Sequence, residues 1–389
     1  MMKLAFITGT RAEYGLLRPL IRKAFADPEL EGSLLVTGAH LRPEYGETVS
    51  EIEKDGIPIA ERIDILRFGN SRDGVVQASG LALRLFGAWF SANPVDACVV
   101  LGDRYEIFAS ASAAAMLNIP VVHISGGDVT FGAQDDWFRH CLTKMSALHF
   151  PYCEAYRQRL LRLGEQPERV FNVGALGSEN IRCVPLLEQP ALSEKFGFDF
   201  AKPYCLVTFH PETMAAESPV SQLAALLAVM EEYPDMGFCI TGANADAGGD
   251  AINAAWQSFV KKHPRAKLFA SMGLQGYLSA MKYCAAVVGN SSSGVVETPE
   301  FGVPCVNIGD RQTGRLRTAN VIDCRCEADA VRAALHKALT PEFAAAAAQV
   351  ENPFYQPDTS GNMLRIIKQS HANGLLASPK HFYDGEAVL

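Results

Sequence analysis

Acidic and basic side chains gather in a few short stretches rich in glycine. Asp103 and Arg104 follow Gly102, Asp128 follows Gly126-Gly127, and Asp135-Asp136 precede Arg139-His140. Converging carboxylates push each other's pKa upward, which suits general acid–base work. Taken singly, each also fits a helix cap. A second group has a different character. His210 precedes Pro211-Glu212, and Gly289-Asn290-Ser291-Ser292-Ser293-Gly294 leads into Val295-Val296-Glu297, with Arg311 and Arg315 further on. Exposed N–H groups and hydroxyls at such a small-residue turn could cradle a diphosphate, helped by the dipole of the following helix. His210 could donate to phosphate or trade protons. The turn has neither the G-x-x-x-x-G-K-[ST] nor the G-x-G-x-x-G spacing. Gly9-Thr10-Arg11 places one more cation after the first apolar run, while His123 sits inside an apolar run and reads as a core histidine.

These groups need a scaffold that brings loop residues together. Short apolar runs alternate with longer amphipathic segments throughout the chain. The runs read as strands are 4–8, 34–37, 97–101, 121–124 and 170–173, then 204–209, 237–241, 267–269, 285–288 and 304–308. Their near-continuous Val, Ile, Leu, Phe and Ala suits parallel strands buried on both faces. Segments such as 220–232 and 328–339 read as helices between them, and 342–350 is helix-prone. The alternation restarts after a Pro-containing stretch near 175–200, so the fold class is α/β with two Rossmann-like domains. In open α/β sheets ligands bind at the carboxyl ends of the strands. The polar clusters fall there, which leads to the expectation of a deep cleft between domains. Beyond Leu376 no pattern is evident, and a loose tail is expected.

Composition sets outer bounds. The chain has 389 residues, 48% hydrophobic and 20% charged, with formal net charge −8. That describes a globular protein of two or three domains with large cores and argues against a nucleic-acid-binding surface. An anion must therefore be held by a local cluster of Arg and His. The N-terminal apolar run is too short for a signal peptide, and no stretch approaches a membrane span. The ten cysteines are scattered, with only Cys324-x-Cys326 closely spaced. This suits small buried hydrophobes in a reducing compartment, with neither a zinc site nor a disulfide framework. A cytoplasmic protein without a membrane anchor is expected.

As a set, these motifs resemble the hydrolysing UDP-N-acetylglucosamine 2-epimerases. The likeness is carried by Gly9-Thr10-Arg11-Ala12-Glu13-Tyr14, Thr37-Gly38-Ala39-His40-Leu41, Gly102-Asp103-Arg104-Tyr105-Glu106 and His123-Ile124-Ser125-Gly126-Gly127-Asp128. It continues through Asp135-Asp136-x-x-Arg139-His140, Thr143-Lys144-Met145-Ser146, Phe209-His210-Pro211-Glu212, Asn290-Ser291-Ser292-Ser293-Gly294 and Gly309-Asp310-Arg311-Gln312-x-Gly314-Arg315. The resemblance implies a glycosyltransferase-B arrangement, with a first domain over 1–175, a second over 176–364, and a last helix at about 365–389 returning to the first. It implies a UDP-sugar as substrate, with Arg11, Arg104, His210, Asn244, Ser291, Ser292, Glu297 and Arg311 contacting nucleotide or diphosphate. Asp103, Asp128, Asp135, Arg139 and His40 would line the sugar site, and a homodimer or homotetramer is suggested.

The implied reaction eliminates UDP across carbons 1 and 2 to a 2-acetamido glycal and adds water to give the free 2-epimer. It needs no metal and no redox cofactor. Asp103, Asp128 and Asp135, with Arg139 and His210, are the candidate catalytic residues. The sugar is UDP-N-acetylglucosamine by default, giving N-acetylmannosamine, or else UDP-2,4-diacetamido-2,4,6-trideoxyglucose. Ser125 stands where many relatives carry Glu, Phe131 where others do, and Asp128 where most have Glu. Either the three aspartates suffice, or activity or substrate has shifted.

Overall fold

The computed structural model describes residues 1–69, 71–130, 134–212, 217–243 and 248–385. They form two units: Met1–Asp128 with Asp135–Asn180 and Phe354–Leu389, and Ile181–Pro353 with Val129–Gln134. Unit 1 holds the strands β1 (Met2–Thr8), β2 (Leu30–Thr37), β3 (Ile59–Ile63), β4 (Ala97–Leu101), β5 (Val121–Ile124) and β6 (Leu148–Phe150). Unit 2 holds β7 (Tyr204–Thr208), β8 (Gly237–Thr241), β9 (Ala266–Phe269), β10 (Ala286–Gly289), β11 (Cys305–Ile308) and β12 (Val321–Cys324). The sheet orders are β3-β2-β1-β4-β5-β6 and β12-β11-β10-β7-β8-β9. All pairings are parallel, and the two orders are the same topology. In each sheet the winding reverses once, between β1 and β4 and between β7 and β10. That reversal is where doubly wound sheets open a crevice for ligands.

The apolar runs are continuous because both sheet faces are covered. Along β1, Leu4 and Phe6 enter one core while Ala5 and Ile7 enter another on the opposite face. Along β7, Cys205 and Val207 face one way and Tyr204 and Leu206 the other. This is the period-two alternation of a pleated strand with apolar layers on both sides. At the reversal in unit 2 the backbones come close. Gly289 has φ 136°, and a Cβ there would lie 1.9 Å from the Thr208 carbonyl oxygen, so only glycine fits.

Some elements differ from the sequence reading. Residues 170–173 form no strand; Val170 makes a single isolated bridge to His149. The sixth strand is instead the short β6, three residues long. Strands β3 and β12 lie at sheet edges, where the burial is only partial. Ile59–Ile63 carries Glu61 and Arg62, so no apolar run announces it. The chain leaves unit 1 within the helix Leu176–Cys183, since Leu176 belongs to the unit 1 core and Asn180 Nδ2 donates to the Gly15 carbonyl at 2.8 Å. The return to unit 1 begins at Phe354, earlier than 365. Phe354 is fully buried, and the helix Thr359–Ala372 places Met363, Leu364, Ile366 and Ile367 in the unit 1 core.

Ser378 and Lys380 are pinned within the segment where a loose tail was expected. Lys380 Nζ bonds the carbonyls of Thr143, Lys144 and Ser146 and the buried Glu165 carboxylate, while Arg169 holds the Leu375 carbonyl and Ser378. Among the described residues no helix is long and apolar enough to cross a membrane.

Candidate functional site

In unit 1 the turns after β1, β4 and β5 carry the polar groups. Thr10 caps the helix Arg11–Ala26, with Glu13 completing a reciprocal capping box, so Arg11 is set at the first helical position and is exposed. After β4, Asp103 meets the helix Asp135–Met145. Arg139 Nε donates to Asp103 Oδ2 at 2.7 Å, its Nη2 bonds the same oxygen, and its Nη1 reaches Asp136 Oδ1 at 3.0 Å. Arg139 is 1% exposed, and Asp128 is 2% exposed. Burial alone would lower the Arg139 pKa, but the charges of Asp103 and Asp128 outweigh it and hold the guanidinium above its ordinary value. The carboxylates are thus organised around one buried cation and are not simply set against one another. Asp135 opens the helix that carries Arg139. Arg104 Nε donates to Glu106 at 2.6 Å, so part of its guanidinium is already engaged within unit 1.

His123 and His40 are both fully buried. His123 Nε2 lies 2.8 Å from the Gly102 carbonyl oxygen, next to Asp103. Burial holds its pKa down to about 4, so the neutral ring donates there and steadies the turn. His40 has Nε2 3.0 Å from Thr8 Oγ1 and Nδ1 2.8 Å from Thr48 Oγ1, and burial holds it down to about 4. Both of its ring nitrogens are occupied inside the fold. His40, expected at the sugar site, is held between these two threonines behind the Gly9–Arg11 turn.

Ser125 follows β5 with φ 78°, a left-handed conformation that residues other than glycine seldom adopt. It is 4% exposed, and its hydroxyl has no hydrogen-bond partner among the described residues. Strained positions of this kind cluster at functional sites. The position singled out by its missing carboxylate thus carries a second, structural peculiarity.

In unit 2, Asn290 organises the turns after β7 and β10. Its Oδ1 accepts from the His210 N–H at 2.7 Å, and its Nδ2 donates to the His210 carbonyl at 2.8 Å. The Asn290 carbonyl accepts from Gln312 Nε2 at 2.8 Å and from Arg311 Nη1 at 3.3 Å. Glu212 Oε1 accepts from the N–H groups of Asp310 and Arg311 at 2.9 and 3.2 Å, fixing the loop after β11. Burial, reinforced by the charge of Arg311, holds His210 down to about 3, so its ring is neutral. Ser291 and Ser292 are half-buried, and the Ser291 hydroxyl caps the next turn by accepting from the Ser293 N–H at 3.4 Å. The helix that follows is only Ser292–Val296 and then breaks into Thr298–Phe301. The expected help from a helix dipole is therefore small, and hydroxyls, N–H groups and Arg311 carry the anion-binding capacity. Glu297 is half-buried, and desolvation pushes its carboxyl up to about 7. Asn244 and Phe131 lie outside the described residues.

The geometry therefore brings Asp103, Asp128 and Arg139 together in unit 1, and His210, Ser291 and Arg311 around Asn290 in unit 2. Sequence reasoning missed the Asn290 clamp and the Glu212 tether, while His123 is the core histidine it was read as, with its bond to the Gly102 carbonyl added by the structure. For the clamp and the tether the signal was position, since each adjoins the carboxyl end of a strand, but their work is done on backbone atoms.

Comparison with known proteins gives concordant matches. A family model described as UDP-N-acetylglucosamine 2-epimerase matches residues 22–368. The chain is 39% identical over 369 residues to the polysialic acid biosynthesis protein P7 of Escherichia coli, covering 95% of this chain and 94% of that protein. It is 42% identical over 322 residues to the GDP/UDP-N,N'-diacetylbacillosamine 2-epimerase (hydrolyzing) of Campylobacter jejuni, covering 82% and 84%. Among solved structures, the UDP-GlcNAc 2-epimerase from Neisseria meningitidis bound to UDP-GlcNAc superposes with a TM-score of 0.81 at 17% identity, covering 95% of this chain and 100% of that one. That likeness is one of fold.

Proposed function

Since the chain belongs to the UDP-N-acetylglucosamine 2-epimerase family, we propose that it is a hydrolysing 2-epimerase of a UDP-linked N-acetylated amino sugar, UDP-N-acetylglucosamine first. In this reading a carboxylate of the Asp103, Asp128 and Asp135 group removes the carbon 2 proton as the bond from carbon 1 to the phosphate oxygen breaks. UDP leaves with the bonding pair, and a 2-acetamido glycal remains. Water then adds its hydroxyl to carbon 1, and a carboxyl delivers a proton to the opposite face of carbon 2. The products are UDP and free N-acetylmannosamine. Negative charge grows on the departing diphosphate, where Arg311, Ser291, Ser292 and His210, with Arg11 and Arg104, would stabilise it. Glu297 and Asn244 would contact the nucleotide. No cofactor enters, and a cytoplasmic homodimer or homotetramer accompanies the reading.

The observation that carries it is Asp103, held at the end of β4 by a buried Arg139 that also faces Asp128 and Asp136. A carboxylate fixed in this way has the preorganisation that proton transfer requires. A second reading keeps the chemistry and changes the sugar to UDP-2,4-diacetamido-2,4,6-trideoxyglucose. It is favoured by the likeness to the C. jejuni protein, whose name carries diacetylbacillosamine. Proton NMR of reactions with each sugar nucleotide separates the two. Free 2-epimer from UDP-N-acetylglucosamine supports the first reading, and turnover of the diacetamido sugar alone supports the second. A 2-epimer still attached to UDP would mean a non-hydrolysing epimerase. Binding of both without turnover would leave a sugar-nucleotide sensor.

A further inference from the structure

Two carboxyl groups that the proposed chemistry does not use lie behind the glycine turns of unit 1, at the sheet reversal. Glu13 is 6% exposed and Glu106 1%. They flank Gly9 from two elements. Glu13 Oε2 accepts from the Gly9 N–H at 2.7 Å and from the Thr10 N–H at 3.2 Å. A Cβ placed on Gly9 would stand 2.8 Å from Glu106 Cγ and 3.0 Å from its Oε1. Glu106 Oε1 in turn accepts from Arg104 Nε at 2.6 Å. One oxygen is left on each carboxyl. Glu13 Oε1 and Glu106 Oε2 are both sealed from solvent, and both lack a hydrogen-bond partner among the described residues.

Two ionised carboxylates here would face one guanidinium, leaving a buried negative charge and two acceptors without donors. Such groups are costly when buried. One proton removes both defects. Placed on Glu13 Oε1, it neutralises that side chain and supplies an O–H for Glu106 Oε2. Glu13 Oε2 still accepts from the two backbone N–H groups, and Glu106 Oε1 still accepts from Arg104.

We propose that Glu13 and Glu106 share a single proton, and that this pair ties the Gly9–Arg11 turn to the Gly102–Arg104 turn, positioning Arg11 and Asp103 relative to one another. Burial first, and then the Glu106 charge, push Glu13 up to about 8, against the opposing pull of Arg104 and the two N–H bonds. The neighbouring elements do not compete for this titration. The neighbouring cations are Arg11 on the same helix and Arg104 after β4. His40, on the turn after β2, is neutral above about 4. Tyr105 is pushed above its ordinary value by burial.

The sign follows from linkage. A carboxyl raised from 4.5 to about 8 holds its proton more tightly in the folded state across that window. Folded stability therefore declines as pH rises from the lower value to the upper and levels beyond it. A glutamine at position 13 cannot ionise, so it keeps the tie at every pH.

The proton stands apart from the proposed reaction; only its effect on turnover rests on that reading. The test is infrared difference spectroscopy of the full chain across pH, comparing wild type with Glu13→Gln and Glu106→Gln. Wild type is expected to show, beyond the carboxyl of Glu297 that ionises at about 7, the carbonyl stretch of one further protonated carboxyl, lost with a midpoint near 8. Glu13→Gln removes the carboxyl itself and is expected to lack the band, and Glu106→Gln, where burial remains but the neighbouring charge is gone and the new amide donates to Glu13, is expected to lose it at lower pH than wild type. Melting temperature against pH should show a decline in wild type over the same window that Glu13→Gln flattens. Turnover of the UDP-sugar, followed in parallel, should lose its alkaline limb in Glu13→Gln. A wild-type spectrum without that band, or a band that persists in Glu13→Gln, overturns the proposal whatever the turnover. A clear band with no turnover on any UDP-sugar upholds the proton pair and defeats the epimerase reading.

Discussion

The two sheets reverse their winding at equivalent places, yet different chemistry bridges the reversal in each. In unit 2 a neutral amide reaches across: Asn290, after β10, exchanges two hydrogen bonds with the backbone of His210, after β7. In unit 1 two carboxyls flank Gly9, Glu13 after β1 and Glu106 after β4 with Arg104 as its cation, and by the proposal above a shared proton joins them. An amide has no proton to gain or lose near neutrality, whereas the carboxyl pair does. The identical topology sets where a brace is needed but not what it is made of. The Asn290 brace in the half with His210 and Arg311 does not titrate, and the half with the Asp103–Arg139 cluster sits on one that does.

The largest expected effect lies in unit 1. Asp103→Asn keeps the side-chain shape and removes its capacity to take a proton. Turnover is predicted to fall by roughly 10²–10⁴-fold, the usual scale of a lost acid–base group. UDP affinity should be unchanged, and Arg139 still has Asp136 to hold it. A wild-type rate in this variant would make Asp103 a structural partner of Arg139 only.

Asn290→Asp comes next and tests the amide clamp. The carboxylate cannot donate to the His210 carbonyl and places a charge at a fully buried position. A loss of about 3 kcal/mol in folding stability is expected, read from denaturant unfolding. A change under about 0.5 kcal/mol would show that the clamp contributes little. Arg311→Ala then reverses the pattern of Asp103→Asn. Losing a charge-assisted contact typically costs ~1.5–3 kcal/mol, or about tenfold or more in UDP affinity by calorimetric titration. An unchanged dissociation constant would remove Arg311 from the anion cradle.

The smallest expected effect is itself informative. His210 is held down to about 3 from an ordinary 6.5, so it takes up no proton until the pH falls far below its usual range. In a Glu297→Gln variant, which removes the carboxyl held up at about 7, UDP affinity is therefore predicted to vary by less than about twofold between about pH 7 and pH 8.5. A steep pH dependence there would mean that unit 2 contains a titrating brace after all, and the contrast between the units would fail.

Much of the frame was legible because it was written in apolar runs. Strands such as β1, β4 and β7 are buried on both faces, and their sequences show it. The edge strands β3 and β12 were not legible, since partial burial lets Glu61, Arg62 and Asp323 interrupt the run. The 170–173 run misled because its apolar residues pack without joining the ladder beyond Val170. At the site, Asp103, Arg139, His210, Ser291 and Arg311 could be picked out because charged or hydroxyl groups beside glycine at strand ends stand out. The braces could not. Asn290 acts on backbone atoms, and Glu13 and Glu106 meet only because β1 and β4 are neighbours in the sheet. His40 stood out by its motif, but its bonds to Thr8 and Thr48 were not legible in the sequence.

The central claim is that one half draws off the diphosphate while the other exchanges a proton at carbon 2. The most direct measurement runs the reaction in deuterated water and examines the released sugar by NMR and mass spectrometry. The account predicts free 2-epimeric sugar bearing deuterium at carbon 2, with the carbon 1 oxygen drawn from water. Free sugar that retains its original hydrogen at carbon 2 would contradict it, because the bond to that proton would never have been broken.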